Sequence, residues 1–128
     1  MGVRHFRELV AWQRADEFKL EIQTIVRESP DASADLRYRS QLLEAAGAVS
    51  KDIAEGFLRY SAPTFARFLD YGLGSLVEAE TRLADGIERG YFMRSRCEAA
   101  FRLARRCFTA TIRLKKSQQR YARTRRMK

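Results

Sequence analysis

The chain has 128 residues, of which 45% are hydrophobic, so it is long enough to form one domain around a buried core. Its formal net charge of +9 favours an acidic partner, either nucleic acid or a lipid surface. The sequence contains no leader pattern and no run of about 18 apolar residues, so we expect no membrane anchoring.

The two cysteines, Cys97 and Cys107, are ten residues apart on one predicted helix. Their Cα atoms would then lie ~15 Å apart, which is too far for an internal disulfide. Few and unpaired cysteines are typical of a reducing compartment, so we expect a cytoplasmic protein.

The positive charge is concentrated at the C-terminal end of the chain. Residues 1–93 contain 12 Lys and Arg against 15 Asp and Glu, whereas residues 94–128 contain 13 Lys and Arg against Glu98 alone. The first part therefore has a net charge of −3 and the last 35 residues have +12. This asymmetry indicates a surface placed for binding and not a charge spread evenly for solubility.

Apolar residues repeat at intervals of three and four, which is the period of an amphipathic helix. The first predicted helix runs from about His5 to Glu28 and ends at Ser29-Pro30-Asp31. The second runs from about Ala34 to Glu55, and Gly56 is expected to cap its C-terminus. Its expected buried side comprises Leu36, Leu42, Leu43, Ala46, Val49 and Ile53.

The third predicted helix is capped by Ser61 and ends at Gly90, and the fourth begins with a capping box of Ser95 and Glu98. The expected inward positions of the fourth helix are Phe101, Ala104, Cys107, Phe108, Thr111 and Leu114. Four helices joined by loops of about four to seven residues predict an all-α, antiparallel up-down-up-down four-helix bundle. We assign residues 1–119 to this bundle and residues 120–128 to a basic C-terminal tail.

The sequence lacks the residue patterns of common catalytic and metal sites. His5 is the only histidine, which leaves no pair of Glu-x-x-His motifs for a metal and no histidine-based acid or base. An enzyme of the helical chorismate mutase type is an alternative, but such an enzyme holds its basic residues inside the bundle. We therefore predict a non-enzymatic protein without a metal or a cofactor.

The basic C-terminal segment is the strongest functional signal in the chain. It comprises Arg113, Lys115, Lys116, Arg120, Arg123, Arg125, Arg126 and Lys128. The spacing of these residues does not trace a single helical face, so the segment predicts non-specific phosphate contacts rather than base readout. The alternatives are a merely solubilising tail and an oligomeric scaffold whose partner is an acidic protein. Among the aromatic residues, only Tyr121, between Arg120 and Arg123, is placed for base stacking.

Two further features predict contacts between helices or between subunits. Glu80 interrupts an apolar stripe between Leu76 and Leu83, so we expect it to be largely buried and paired with an arginine. Large apolar residues also lie off the inner stripes and predict a homo-oligomer: Val10, Leu20, Leu58, Val77 and Phe92.

Several short motifs in a fixed order resemble one protein family. They are Phe6-Arg7-Glu8-Leu9 leading into Trp12-Gln13, then Ile53-Ala54-Glu55-Gly56 followed by Arg59, then Phe68-Leu69, and finally Gly74-Ser75-Leu76-Val77-Glu78. From about Phe6 to Leu114 the chain resembles the four-helix bundle proteins first noticed as products of intervening sequences in bacterial 23S rRNA genes.

The resemblance implies a closed homopentameric ring. One branch of the family serves as the accessory protein of diversity-generating retroelements, which implies a reverse transcriptase and DNA or RNA as partners. The motif residues Trp12, Glu55, Gly56, Gly74 and Glu78 would then have structural or interface roles.

The second helix departs from the family pattern in its charge. Leu43-Glu44 stands where relatives usually carry arginine, and Asp52 stands where they carry asparagine. Thr64, at the start of the third helix, replaces a glutamate. Because these changes remove positive charge from the second helix, we expect any nucleic-acid surface to lie at the C-terminal end.

Overall fold

The computed structural model describes residues 2–127, which form five α-helices and one short 3-10 helix. The 3-10 helix spans Phe6–Glu8, and the α-helices are α1 (Val10–Glu28), α2 (Pro30–Ala34), α3 (Leu36–Phe57), α4 (Ala62–Glu88) and α5 (Arg94–Met127). No strand occurs among residues 2–127. The predicted all-α fold is therefore confirmed.

The short helix α2 was not predicted, because its first residues were interpreted as a simple chain break. Ser29 is the N-cap of α2, and its Oγ accepts a hydrogen bond from the Ala32 N–H at 3.1 Å. Pro30 occupies the first helical position, where proline is tolerated because that N–H has no helical partner. The same residues that end α1 therefore also begin a new helix.

The remaining helix ends follow the predicted signals only in part. Ser61 caps α4 by accepting from the Thr64 N–H, and Gly90, with φ of +82°, allows the turn after α4. The capping box predicted at Ser95 is wrong, because α5 already begins at Arg94 and Ser95 lies inside its first turn. Gly56 does not cap α3 either, since that helix continues to Phe57.

The four long helices surround one core. α3 packs against α1 and α4, and α5 also packs against α1 and α4, so each long helix has two neighbours. The largest fully buried side chains come from all four: Phe18, Ile22, Ile25, Leu42, Val49, Ile53, Leu69, Leu76, Leu83, Cys97, Cys107 and Thr111. One face of each long helix is thereby left outside the core.

Three burial predictions were wrong. Phe108 was expected to point inward but is 42% exposed, and Leu36 is 68% exposed because it begins α3 next to the Asp35 cap. Phe92 was expected on the surface but is buried, with its ring 6.2 Å from that of Tyr38. The other residues predicted to lie outside the core are exposed: Val10, Leu20, Leu58 and Val77.

The residues assigned to a separate C-terminal tail continue α5 without a break as far as Met127. Within them Ala122 is buried, so the last turns of α5 pack against the protein. Lys128 lies outside the described residues. None of the helices within residues 2–127 has the length and hydrophobicity needed to cross a membrane.

Glycines permit close approach between helices at two positions. A Cβ atom on Gly56 would lie 2.7 Å from Phe68 Cβ, and a Cβ atom on Gly86 would overlap the Tyr38 hydroxyl and the Phe92 ring. Gly74, on the same helix as Gly86, has no atom within 4 Å of such a position. These contacts explain why Gly56 in α3 and Gly86 in α4 are glycines despite the low helix propensity of that residue.

The substitution Gly86→Ala should therefore destabilise the protein by about 1–3 kcal/mol, because the added methyl group overfills a packed site. Gly74→Ala is the matched control and should stabilise the protein by about 1 kcal/mol, because alanine favours the helix and meets open space. Urea denaturation followed by circular dichroism measures both. Equal stabilities for the two variants would contradict the close packing at Gly86.

Candidate nucleic-acid interface

Basic side chains form a stripe along the outward face of α5. The stripe comprises Arg102, Arg105, Arg106, Arg113, Lys116, Arg120 and Arg123. At 3.6 residues per turn these residues fall within an arc of about 100°, over a length of about 30 Å. All of them are exposed, on the face opposite the buried residues Ala104, Cys107 and Thr111. The α5 stripe is thus a continuous cationic surface.

The cations of the α5 stripe are not neutralised by acidic neighbours. Among residues 2–127, no carboxylate oxygen lies within 4.0 Å of a charged nitrogen of these side chains. The charged groups remain hydrated, and they keep their capacity to neutralise an external anion.

A groove of about 340 Å³ runs beside the α5 stripe, between α5 and α1. Its charged lining consists of Arg14 from α1 and Arg105, Arg106 and Arg113 from α5. The side chain of Arg14 is held by Glu17, with 2.8 Å between Nη1 and Oε2. The unpaired guanidiniums of the groove are therefore those of α5, because Arg14 is engaged by Glu17.

The predicted binding residues lie in different surroundings. Arg113, Lys116, Arg120 and Arg123 lie on the α5 stripe, whereas Lys115 turns to α4 and forms an ion pair of 2.7 Å with Asp70. Lys115 is thus engaged within the protein and is a poor phosphate ligand. Arg125 and Arg126 lie on other sides of the same helix, and Lys128 falls outside the described residues.

Sequence reasoning missed Arg102, Arg105, Arg106 and Arg14. The available signal was the spacing from Arg102 to Arg123 in steps of three, four and seven residues, which marks one helical face. The eight predicted residues do not share one face, but four of them, Arg113, Lys116, Arg120 and Arg123, align with the arginines that precede them on α5.

A second groove, of about 330 Å³, lies at the C-terminal end of α5. Residues 60–63, which lead into α4, form one side of it. Tyr121, Ala122, Arg125 and Arg126 form the other side. Tyr60 is fully exposed, Tyr121 is 56% exposed, and the Arg125 guanidinium lies 5.9 Å from the centre of the Tyr121 ring. We call this the tyrosine groove.

The motif residues predicted to have structural roles occupy different surroundings. Trp12 is half-buried and meets Phe6 edge-on at 5.3 Å, while Glu78 is exposed and pairs with Arg82 at 3.2 Å. Gly56 is buried at a close helix approach, Gly74 is exposed, and Glu55 is half-buried. Because the structure contains one chain, the interface roles predicted for these residues stay predictions.

Glu80 is half-buried and forms no ion pair with the described residues, so the arginine partner predicted for it is absent within the chain. Burial raises the pKa of Glu80 above its usual range, and the positive charge of Arg105 partly opposes that rise. Burial also raises the pKa of Asp52, and the neighbouring charge of Glu55 adds to the effect.

The described part of the chain contains no candidate metal site. Residues 2–127 contain no group of three or more His, Cys, Asp or Glu side chains that are placed to hold a metal ion. The absence of an enzymatic activity and of a cofactor stays a prediction.

The fold and this surface define the class as a small all-helical bundle with one cationic helix face. The family model described as 23S rRNA-intervening sequence protein matches residues 7–109. Because the match covers most of the chain, the protein belongs to this family, and the resemblance noted in the sequence is confirmed. A comparison with curated proteins found no match.

The variant Glu80→Gln should melt at a higher temperature than the wild type at pH 7. The raised pKa means that the ionised carboxylate is less favourable in the folded than in the unfolded chain, and glutamine removes that cost. The gain should vanish below about pH 4, where the carboxyl group is protonated in both states. Thermal melts at several pH values measure the difference.

Glu78→Gln is the matched control for this experiment, because Glu78 lies on the same helix but is exposed and paired with Arg82. It should show no gain at pH 7. A loss of stability for Glu80→Gln at neutral pH would indicate a cationic partner for Glu80 and contradict the prediction.

Proposed function

We propose that this protein is a non-enzymatic, homo-oligomeric helical bundle that binds nucleic acid without sequence preference. The observation that carries the proposal is the α5 stripe, with its seven exposed cations free of acidic partners. Arginine and lysine in this arrangement bind phosphate groups, and neutralising several phosphates supplies most of the affinity of non-specific complexes.

The length of the α5 stripe suits a nucleic-acid backbone. Its extent of about 30 Å is close to one turn of duplex DNA, which spans about 34 Å. The groove between α5 and α1 borders this surface and exposes Arg105, Arg106 and Arg113 along one side. A helix face of this kind holds the phosphate backbone and leaves the bases unread.

The triple variant Arg113→Ala, Lys116→Ala and Arg120→Ala should weaken DNA binding and reduce its salt dependence. The slope of log K against log salt should become less steep by about 2.7, because each lost duplex phosphate contact contributes about 0.9. Fluorescence anisotropy with a labelled duplex at several salt concentrations measures the slope. Point substitutions are preferable to deleting the tail, because Ala122 within it is buried.

The matched control removes three exposed cations from other helices, Arg37, Lys51 and Arg67. Its net charge equals that of the first variant, so a general loss of positive charge would affect both equally. Equal slopes for the two variants would contradict a binding surface on α5. No DNA or RNA binding by the wild type would favour the scaffold with an acidic protein partner.

We further infer that the long helices run up-down-up-down. Lys115 pairs with Asp70, and Arg105 lies near enough to Glu80 to influence its pKa. Residue numbers thus fall along α4 as they rise along α5, which is the pattern of antiparallel neighbours. The short connection between the two helices, from Arg89 to Met93, supports the same direction.

Self-association is proposed to use an apolar face between α4 and α5. Val77 and Phe108 are 51% and 42% exposed. Along α4 and α5 they lie between the Lys115–Asp70 ion pair and the positions of Arg105 and Glu80, which are near enough to influence each other's charge. Exposed apolar side chains that cluster in this way are typical of a protein contact. Glu80, already partly removed from water, lies beside this face.

A ring of five subunits is the assembly that the family resemblance implies. Ring closure needs a heterologous interface, in which the α4/α5 face of one subunit meets a different face of the next. Several α5 stripes would then be held in one particle and would bind a long nucleic acid with increased avidity. A nucleic-acid enzyme such as a reverse transcriptase is the protein partner that the same resemblance suggests.

The double variant Val77→Asp and Phe108→Asp should convert the oligomer into monomers of 14.8 kDa, because burying two carboxylates in an apolar contact is costly. Light scattering at micromolar concentration measures the mass. Leu36→Asp is the control, since Leu36 is even more exposed, at 68%, but lies at the start of α3. A wild-type mass of 14.8 kDa would refute self-association.

A further inference from the structure

We propose that the tyrosine groove at the end of α5 stacks an unpaired base, so that the protein prefers single-stranded to duplex nucleic acid. This inference rests on the proposed nucleic-acid binding and adds the form of nucleic acid that is bound. The groove brings together Tyr60 and Tyr121, two tyrosines that are far apart in the sequence, on its opposite sides.

The exposure of both rings is unusual for structural aromatic residues. Tyr60 is fully exposed, and Tyr121 is 56% exposed although it lies on a helix with a buried face. Neither ring is paired with another aromatic ring among residues 2–127. Exposed tyrosines beside arginines are the usual platform on which single-stranded nucleic acids stack their bases.

The dimensions and charge of the groove suit one nucleotide. Its volume of about 330 Å³ is enough for a base with its sugar, and Pro63 and Ala122 contribute apolar surface. Among residues 2–127, its charged residues are Arg125 and Arg126, and no carboxylate side chain lines it. A phosphate next to a stacked base would therefore meet only positive charge.

The tyrosine groove lies at the same end of α5 as Arg120 and Arg123, but around the helix from the α5 stripe, on the side of the buried Ala122. Arg120 and Arg123 are the last members of the stripe, and Tyr121 lies between them in the sequence. A strand whose phosphates follow the stripe would reach the tyrosine groove by passing around the last turns of α5. The bases of a duplex are paired and stacked on each other, so only a single strand can present a base to the tyrosine rings.

The decisive experiment compares three fluorescently labelled probes of equal length by anisotropy: single-stranded DNA, blunt duplex DNA and an abasic single strand. The wild type should bind the normal single strand more tightly than the abasic one, because the two carry the same phosphates. The double variant Tyr60→Ala and Tyr121→Ala should lose about tenfold or more in affinity for the normal strand, and its duplex affinity should stay unchanged.

Two control variants separate stacking from other effects. The double variant Tyr60→Phe and Tyr121→Phe keeps both rings and should retain the affinity for single strands. Tyr71→Ala removes a tyrosine of similar exposure from α4 and should change no affinity. Because Tyr60 and Tyr121 are exposed, the alanine variant should keep its melting temperature.

Equal wild-type affinities for the normal and abasic strands would overturn the stacking site while leaving phosphate binding by the α5 stripe intact. An equal loss of duplex and single-strand affinity in the alanine variant would also overturn the stacking site, because a change in electrostatics alone would then explain both losses. If the wild type bound none of the three probes, both the stacking site and the proposed function would be wrong.

Discussion

The close packing of α3 on α4 is the constraint on which the rest of the molecule depends. Gly56 and Gly86 let aromatic side chains approach the helix backbones, and the Tyr38 hydroxyl donates a hydrogen bond of 2.7 Å to the Arg82 carbonyl oxygen. Tyr91 extends this contact to Asp35, with 2.6 Å between its hydroxyl and Oδ2. With these two helices fixed, α1 and α5 complete the core, and the outward face of α5 is left to water.

The separation of charge follows from this arrangement. Three carboxylates on neighbouring helices form ion pairs with α5. Arg96 pairs with Glu21 at 2.8 Å and with Glu28 at 2.7 Å. Lys115 pairs with Asp70. These pairs take up cations on the sides of α5 that face other helices. The cations on the outward face have no such partners among residues 2–127 and form the surface proposed to bind nucleic acid.

The sequence predicted the fold class and most of the core, because the apolar repeat records which helix face is buried. The sequence-based predictions failed where a few residues have a second structural role. Ser29-Pro30 begins α2 as well as ending α1, and Gly56 permits close packing instead of capping α3. The site was predicted only in part. Net charge identified α5, but only the helical continuity from Arg94 to Met127 aligns its arginines and brings Tyr60 to Tyr121.

The burial of both cysteines on α5 has a chemical consequence. Cys97 and Cys107 are fully buried, and burial raises the pKa of the Cys107 thiol to about 11. Thiolate is the form that reacts with oxidants and alkylating reagents. The fold therefore protects both sulfurs in two ways, because burial keeps reagents away from them and also keeps the thiols protonated. Chemical modification of either thiol therefore requires α5 to separate from the other helices. The rate of thiol labelling then measures how often this helix, which carries the cationic face, opens.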